Sequence, residues 1–183
     1  GELVLPEPSI LGDHQLYNVS TSIAASRKIF NIKDEYILNG VKNISLKARL
    51  EEIKSGKLKD IAGNNKLIID GGHNISASVS IADWVKNQND EVNLIVGMMK
   101  DKEHVEFIKA FENIVNSITL IDIPNQDGAI SKEDFRKKLD NLKLNLKLSN
   151  GIEESIKSLS KNENTIILCL GSLYLAGEIL SLN

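Results

Sequence analysis

The sequence has a single cysteine, which excludes an internal disulfide. Cys169 lies in the apolar run TIILCL, so we expect a buried thiol that packs as a small apolar side chain. A catalytic thiol would need a thiolate and a nearby base, which this setting does not offer. The three histidines and the cysteine are too dispersed along the chain for the spacing of a zinc site.

Aromatic residues make up only 4% of the chain, so Leu, Ile, Val and Ala must build the core. There is no basic excess either: 22 Lys and Arg stand against 25 Asp and Glu, for a net charge of −3. This balance gives no support to nucleic-acid or membrane-surface binding. No apolar stretch approaches the roughly 20 residues that span a bilayer. With no signal peptide before the first predicted helix, we expect a cytoplasmic protein.

From residue 66 onward, aliphatic runs alternate with amphipathic segments, which predicts a doubly wound α/β domain with a mostly parallel sheet. In such sheets ligands bind beyond the carboxyl ends of the strands. The predicted strands are 67–69, 92–96, 117–121, 144–148 and 165–170. The predicted helices are 75–87, 103–114, 131–141, 151–160 and 174–181.

The first 45 residues have a different character. An extended, proline-containing start precedes helical patterns at 18–30 and 33–41, and no strand partners are evident. This part of the chain is typical of the edge of a neighbouring domain. We therefore predict a division into 1–45 and 46–183, with residues 42–50 as the joint.

The stretch KLIIDGGHNISAS places polar and small residues between an aliphatic strand and a helix. Gly71 and Gly72 allow positive φ and close backbone approach, and Asn74 can cap the helix, whose free N–H groups favour an anion. Asp70 can hold a ribose hydroxyl or a magnesium-bound water, and His73 can reach a phosphate. A plain turn explains the glycines and the asparagine but not the aspartate and histidine together, so both interpretations stay open.

Two more strand ends carry polar residues. The loop in VGMMKDKEH offers Lys100, Asp101 and Lys102, which suit carboxylate or phosphate binding, although a helix entry with solvated charges explains them as well. His104 lies beyond this loop, and we expect it at the surface. After the last strand, Ser172 can donate its hydroxyl to a ligand carboxylate or cap the following helix.

Three polar residues before the sheet are further candidates. In GDHQLYN, Gln15 and Asn18 are three apart and share a helix face, where two amides can read the edge of an adenine. Helix capping by Asn18 is the alternative. Arg49, in the joint, can reach a phosphate or be a linker charge. The sequence contains no G-x-x-x-x-G-K-[ST] phosphate loop and no G-x-G-x-x-G fingerprint after a strand.

Four segments in this order resemble the C-terminal half of folylpolyglutamate synthase/dihydrofolate synthase, a family of the ATP-dependent Mur ligase superfamily. They are GDHQLYN with STSIAA, LKARLEEIKSGKL, LIIDGGHN and GSLYLAGEIL. VGMMKDKEH fits the G-M-x-x-D-K loop of that family, and the resemblance covers essentially the whole chain. Two departures are visible. The joint reads Leu-Lys-Ala-Arg where a Trp-Pro-Gly-Arg type is common, and Ile75 stands where the family often has proline.

The resemblance implies a Rossmann-like lid, the Mur ligase C-terminal domain, preceded by a short helical remnant of the central ATP-binding domain. In that family ATP phosphorylates a folate-side carboxylate, and the amino group of L-glutamate attacks the acyl phosphate. By resemblance, Asn18 contacts adenine with Gln15 beside it, and Arg49 contacts the nucleotide phosphates. Asp70 binds the ribose or orders the nucleotide, and His73 lies near the γ-phosphate and the incoming glutamate.

The same resemblance makes Asp101, Lys102 and Ser172 candidates for the glutamate carboxylates. It implies ATP, Mg²⁺, L-glutamate and dihydropteroate or folate as ligands, with the magnesium ligands mainly from the central domain and none assigned here. Because these 183 residues lack a phosphate loop, we expect the chain to be inactive alone and to need the remaining domain. The alternative is a non-catalytic α/β nucleotide-binding or regulatory module.

Overall fold

The computed structural model describes residues 3–10 and 13–183, which form two compact units that divide after Glu51. The first unit contains helices α1 (Asp13–Ile29) and α2 (Asp34–Lys42). Two helices were predicted here, and the structure confirms them, although α1 begins earlier than expected. Val19, Ile37 and Val41 form the buried centre of this unit, and apolar residues of the extended start and the following turn pack against it.

The sheet and its helices follow the joint. In chain order they are β1 (Glu51–Ile53), α3 (Lys57–Ala62), β2 (Lys66–Ile69), α4 (Ile75–Lys86), β3 (Val92–Val96), α5 (His104–Lys109), β4 (Ser117–Leu120), α6 (Lys132–Lys138), β5 (Leu146–Leu148), α7 (Ile152–Leu159), β6 (Ile166–Leu170) and α8 (Leu173–Leu182). The predicted alternation of strands and helices is confirmed.

The six strands form one sheet in the order β1-β2-β6-β3-β4-β5. The pairs β2–β6, β6–β3, β3–β4 and β4–β5 are all parallel. The last strand in the chain, β6, is thus inserted between β2 and β3. Because parallel strands end at the same edge, this order brings the loops after β2, β6 and β3 side by side.

Helices cover both faces of the sheet, which is why its central strands are mostly apolar, with Asn93 as a buried polar residue of β3. On one face α3 packs against α7 and α8, and on the other α4 packs against α5, which packs against α6. All five residues of β3 and all five of β6 are buried. The aliphatic strands therefore supply the core that the low aromatic content requires.

Three local features differ from the prediction. Strand β1 and helix α3 were not predicted at all. Helix α5 ends at Lys109 and not near residue 114, because Phe111 and Ile114 donate to carbonyls three residues back and Asn113 adopts a φ of 63°. Those hydrogen bonds and the left-handed residue end the α-helical ladder and turn the chain toward β4.

The short helix α3 takes its cap from the far end of the chain. The Oδ1 atom of Asn183 accepts a hydrogen bond from the Leu58 amide at 3.0 Å, and its Nδ2 atom donates to the Ser55 carbonyl at 2.6 Å. Gly56, at the start of α3, has a φ of 106°, and a Cβ there would lie 2.4 Å from Asn183. This contact fixes α3 against the C-terminal helix layer, since a side-chain cap satisfies otherwise unpaired N–H groups.

Candidate functional site

The tips of β2, β6 and β3 are joined through their backbones. The Gly171 amide donates to the Gly72 carbonyl at 3.0 Å, and the Gly97 amide donates to the Leu170 carbonyl at 3.4 Å. We call this edge, formed by residues 70–74, 97–102 and 171–172, the glycine rim. It carries the candidate residues Asp70, His73, Asp101, Lys102 and Ser172 of the second unit.

The rim glycines are required for close packing. A Cβ on Gly171 would lie 2.7 Å from the Gly97 carbonyl oxygen, and its φ of 107° is one that other residues rarely adopt. A Cβ on Gly72 would lie 2.9 Å from Oδ1 of Asp70. Among the described glycines, positive φ occurs at Gly56, Gly63 and Gly171. Positive φ was one of the two predicted uses of the glycines after β2, and they do not adopt it. This turn depends instead on the close approach of neighbouring atoms to its backbone.

The turn after β2 holds its three polar side chains through its own backbone. Asp70 is buried, and its Oδ1 accepts a hydrogen bond from the Gly72 amide at 2.6 Å. Asn74 caps α4 by accepting from the Ala77 amide at 2.9 Å, which confirms the predicted cap. The turn is therefore a helix cap and also a holder for a carboxylate and an imidazole.

The half-buried His73 has one ring nitrogen engaged and one available. Its Nδ1 lies 2.9 Å from the Gly71 carbonyl, and a carbonyl only accepts, so Nδ1 carries the hydrogen. In the neutral imidazole the Nε2 atom then keeps its lone pair. No described residue provides a hydrogen-bond partner for Nε2. His73 can thus accept a proton at Nε2 without leaving its place in the turn.

The loop after β3 presents an ion pair. Lys102 Nζ lies 3.0 Å from Asp101 Oδ2, and this hydrogen bond is the main reason that the pKa of Asp101 is below its usual value. A smaller electrostatic contribution from His73 lowers the pKa of Asp101 too, so the two loops lie within electrostatic range. Lys100, the other lysine of this loop, does not share in the ion pair, and its Nζ donates to the Asp127 carbonyl at 2.8 Å.

The last strand ends in a capped helix. Ser172 is buried, and its Oγ accepts a hydrogen bond from the Tyr174 amide at 3.1 Å. The hydroxyl keeps its own hydrogen for donation, so capping and ligand binding are compatible. Tyr174 is exposed rather than packed. Two residues before the rim in the same strand, Cys169 is buried as predicted, and burial raises the pKa of its thiol to about 12.

The two amide candidates lie together in the first unit. Asn18 Nδ2 donates to Gln15 Oε1 at 3.0 Å, which confirms that they share a face of α1. Gln15 is buried and Asn18 is exposed, and both line an apolar cavity of about 480 Å³ with residues of α1 and α2. Gly12, at the start of the GDHQLYN motif, lies outside the described residues.

Arg49 lies in a strained part of the joint. Ala48 and Leu50 on either side have φ values of 53° and 46°, a region that non-glycine residues seldom occupy. The Ala48 amide donates to Oε2 of Glu51 at 2.8 Å, and Arg49 donates to the Ala48 carbonyl at 3.1 Å. Ala48 takes the place of the glycine in the Trp-Pro-Gly-Arg type of joint that the resemblance offers, and a glycine would adopt this positive φ without steric cost.

The prediction that His104 lies at the surface is wrong. The ring is 2% exposed, with Nε2 3.0 Å from the Met99 carbonyl and an edge-on contact to Phe135 at a centroid distance of 5.1 Å. Residues 104, 107, 108 and 111 recur on the buried side of this helical segment, and that spacing is the signal which could have identified His104 as an inward-facing residue.

Within residues 3–10 and 13–183, no group of three or more His, Cys, Asp or Glu side chains could hold a metal ion. None of the described helices combines the length and the apolar character needed to cross a bilayer. The glycine rim therefore provides a carboxylate, an imidazole, an ion pair and a buried hydroxyl, but no metal centre of its own.

Residues 55–182 match the family model described as dihydrofolate synthetase, C-terminal domain. The chain belongs to this family. The matched segment includes the whole glycine rim and every helix from α3 to α8. The resemblance inferred from the four sequence segments is confirmed, and so is the Rossmann-like, mostly parallel fold.

Relatives of this synthase domain are longer proteins. The dihydrofolate synthase/folylpolyglutamate synthase of Bacillus subtilis is 25% identical over 180 residues, which cover 93% of this chain and 39% of that protein. The folylpolyglutamate synthase of Mycobacterium tuberculosis, solved with ADP and AMPPCP, aligns with a TM-score of 0.83 at 18% identity over 96% of this chain and 41% of its own.

A third protein is the bifunctional folylpolyglutamate synthase/dihydrofolate synthase of Yersinia pestis, solved with AMPPNP and a manganese ion. It aligns with a TM-score of 0.79 at 18% identity, over 98% of this chain and 41% of its own. At this identity the structural similarity concerns the fold alone. The chain spans about two fifths of the length of these relatives.

Proposed function

We propose that this chain is the lid domain and hinge of an ATP-dependent ligase that joins L-glutamate to dihydropteroate or to a folate polyglutamate. The family membership supports the enzyme class. The single observation that carries the role of this domain is the glycine rim, where a buried carboxylate, an imidazole with an available nitrogen and an ion pair of an exposed aspartate with a half-buried lysine meet at one sheet edge. Ligands bind at this edge in doubly wound sheets.

The proposed reaction has two steps. The γ-phosphoryl group of ATP passes to the carboxylate of the pteroate or folate, which yields ADP and an acyl phosphate. The amino nitrogen of L-glutamate then attacks the acyl carbon, so that a C–N bond forms, the C–O bond to phosphate breaks and the nitrogen loses a proton. An acyl phosphate must be shielded from water, and closure of a lid that also carries the nucleophile meets this need.

His73 fits the proton transfer. Its Nδ1–H is fixed on the Gly71 carbonyl, which leaves Nε2 as the atom that accepts the proton of the attacking amine or meets the phosphate. The α4 N-terminus beside it favours an anion. Asp70, held by the Gly72 amide, orders the nucleotide or its ribose. In this proposal the ligands of Mg²⁺ belong mainly to the remaining part of the enzyme.

The glutamate contacts and the nucleotide contacts come from different residues. The Lys102 ammonium group binds a carboxylate of the glutamate substrate, and Asp101 lies toward the ammonium group of that substrate. The Ser172 hydroxyl donates to a carboxylate of the substrate. In the first unit Asn18 and Gln15 supply an amide pair for adenine, and Arg49 supplies a guanidinium for the phosphates. The nucleotides bound to the Mycobacterium tuberculosis and Yersinia pestis proteins support a nucleotide as substrate, whereas the residues assigned to it here come from the sequence resemblance.

Phosphate release with dihydropteroate, L-glutamate and Mg-ATP tests the proposal. Residues 1–183 alone should show no turnover, and a polypeptide that joins them to the part of the Bacillus subtilis relative that they do not cover should be active. In that longer polypeptide, His73→Ala should lower kcat by about 100-fold or more, a size typical of a lost proton-transfer group, while ATP affinity changes less than tenfold. Asp70→Ala should lower both turnover and nucleotide affinity.

Asp83→Ala is the matched control, because Asp83 is an exposed carboxylate on α4 that pairs only with Lys86 at the surface. It should keep normal turnover. Robust ligase activity of residues 1–183 alone would refute the lid assignment. Normal turnover of His73→Ala in the longer polypeptide would remove His73 from the chemistry.

A further inference from the structure

The loop that carries Asp101 and Lys102 is fastened along one side by the segment before α6. The Lys100 amide donates to the Gly128 carbonyl at 2.8 Å, the Ile130 amide donates to the Met98 carbonyl at 3.0 Å, and Met99 and Ala129 form an antiparallel bridge. These bonds fix residues 98–100. The turn that follows, which carries the Asp101–Lys102 ion pair, is held by other contacts.

The Met99 carbonyl is the anchor of that turn. It accepts a long hydrogen bond from the Lys102 amide at 3.4 Å and a shorter one from His104 Nε2 at 3.0 Å. The His104 amide in turn donates to the Lys102 carbonyl at 3.0 Å. His104 therefore makes two hydrogen bonds that close this turn. Its backbone amide bonds to the Lys102 carbonyl, and its ring bonds to the Met99 carbonyl.

The ring is locked in one protonation state by its neighbours. The Met99 carbonyl can only accept, so Nε2 must carry a hydrogen, and the Lys138 ammonium, 3.4 Å from Nδ1, can only donate. A neutral His104 with the hydrogen on Nε2 satisfies both. The edge-on contact with Phe135 of α6 holds the ring plane.

We propose that His104 is a positioning residue that holds the Asp101–Lys102 pair in the geometry needed to receive the carboxylate and ammonium groups of an amino-acid substrate. The inference rests on the proposed function, because it assigns that pair to glutamate. His104 itself touches no substrate and acts through the Met99 carbonyl. Protonation of His104 at Nδ1 would put an N–H against the Lys138 ammonium, so the turn should loosen in acid.

Two charged groups face the ring and set its pH range. Burial lowers the pKa of His104, the Met99 hydrogen bond raises it, the Lys138 charge lowers it further, and the more distant Asp101 charge raises it. Because its pKa is lowered, the His104 ring of the native protein stays neutral at pH values where a histidine of the unfolded chain has already taken up a proton. The hold on the turn is thus complete at neutral pH and is lost as the pH falls through the native pKa.

Amide hydrogen exchange and NMR titration of the 183-residue chain test this inference. In His104→Leu the Lys102 amide should exchange about tenfold faster, whereas the Lys100 amide, which bonds to the Gly128 carbonyl, and the Leu94 amide inside β3 should be unchanged. In His104→Gln the side-chain amide can still donate to Met99, so the protection should return. The wild-type Lys102 amide shift should follow the titration of His104, and this pH dependence should vanish in His104→Gln.

Lys138→Met provides a second test that does not depend on folding of the leucine variant. Removing the ammonium should raise the pKa of His104, and Lys137→Met, which removes an exposed neighbour paired with Asp134, should leave it unchanged. Unchanged loop exchange in His104→Leu, or an unchanged His104 pKa in Lys138→Met, would overturn the inference. Failure of the proposed function would instead appear in the phosphate-release assay, with these exchange results intact.

Discussion

The packing of the glycine rim predicts how one added methyl group, at Gly171, changes the stability of the second unit. Gly171 connects β6 to α8 with a φ of 107°, and a Cβ at this position would lie 2.7 Å from the Gly97 carbonyl oxygen and 2.9 Å from Met98 Cγ. Gly171→Ala should therefore destabilise the second unit through two effects, backbone strain and a clash with the neighbouring strand tip.

Two other glycines separate these effects. A residue held in a sparsely populated backbone region costs about 1 to 3 kcal/mol, and forcing atoms into a packed site costs about 1 to 3 kcal/mol more, so Gly171→Ala should cost about 2 to 6 kcal/mol. Gly63 has a φ of 61° but open space around its Cβ position, so Gly63→Ala should show the strain alone. Gly177 in α8 has neither problem, and Gly177→Ala should stabilise by about 0.5 to 1 kcal/mol.

Urea unfolding followed by tryptophan fluorescence measures the three free energies. The chain has one tryptophan, Trp84 in α4, so the signal reports the second unit. With a slope of about 2 kcal/mol per molar urea, the Gly171→Ala midpoint should fall by about 1 to 3 M. Equal midpoints for Gly171→Ala and Gly63→Ala would show that the clash with Gly97 does not exist, and a destabilised Gly177→Ala would refute the reasoning about free space.

Three further predictions concern a cap, a thiol and the joint. Asn74→Ala should destabilise the second unit by about 1 kcal/mol in the same urea assay because α4 loses its side-chain cap, and Asn74→Ser should recover most of the loss. Cys169, whose pKa is raised to about 12 by burial, should not react with a disulfide reagent at pH 8 until urea unfolds the chain; rapid labelling of the native protein would contradict its burial. Ala48→Gly should raise the thermal unfolding midpoint, equivalent to about 0.5 to 1 kcal/mol, because glycine relieves the positive φ and its greater freedom in the unfolded chain offsets only part of the gain; a lower midpoint in circular dichroism would argue against strain there.

The sequence allowed the sheet to be predicted because its strands are continuous aliphatic runs of ordinary strand length between helical patterns. β3 was predicted with its observed bounds, Val92–Val96, and β2, β4, β5 and β6 within two residues. The strand order could not be read in this way. The insertion of β6 between its neighbours depends on contacts between residues about a hundred positions apart, such as Asn65 with Thr165.

The elements that were missed lack a local pattern. Helix α3 has six residues between two glycines, too few for a clear periodicity, and its cap comes from Asn183 at the other end of the chain. The burial of His104 was detectable in principle, because it shares helical spacing with Phe107 and Ile108. The pattern alone does not show what satisfies a buried ring there, because Lys138, the partner of its Nδ1 atom, comes from α6, 34 residues along the chain.

The turn DGGHN shows why a structural and a functional interpretation of a motif need not compete. Asp70, His73 and Asn74 each bond to a backbone group of their own turn or of the first turn of α4. The backbone of the turn therefore takes part in orienting both the carboxylate and the imidazole. A site whose groups are fixed in advance loses little conformational freedom when ligand arrives, which strengthens the interactions made in the transition state. Under the proposed function the close-packed Gly72 thus contributes to the site, because its amide holds the Asp70 carboxylate.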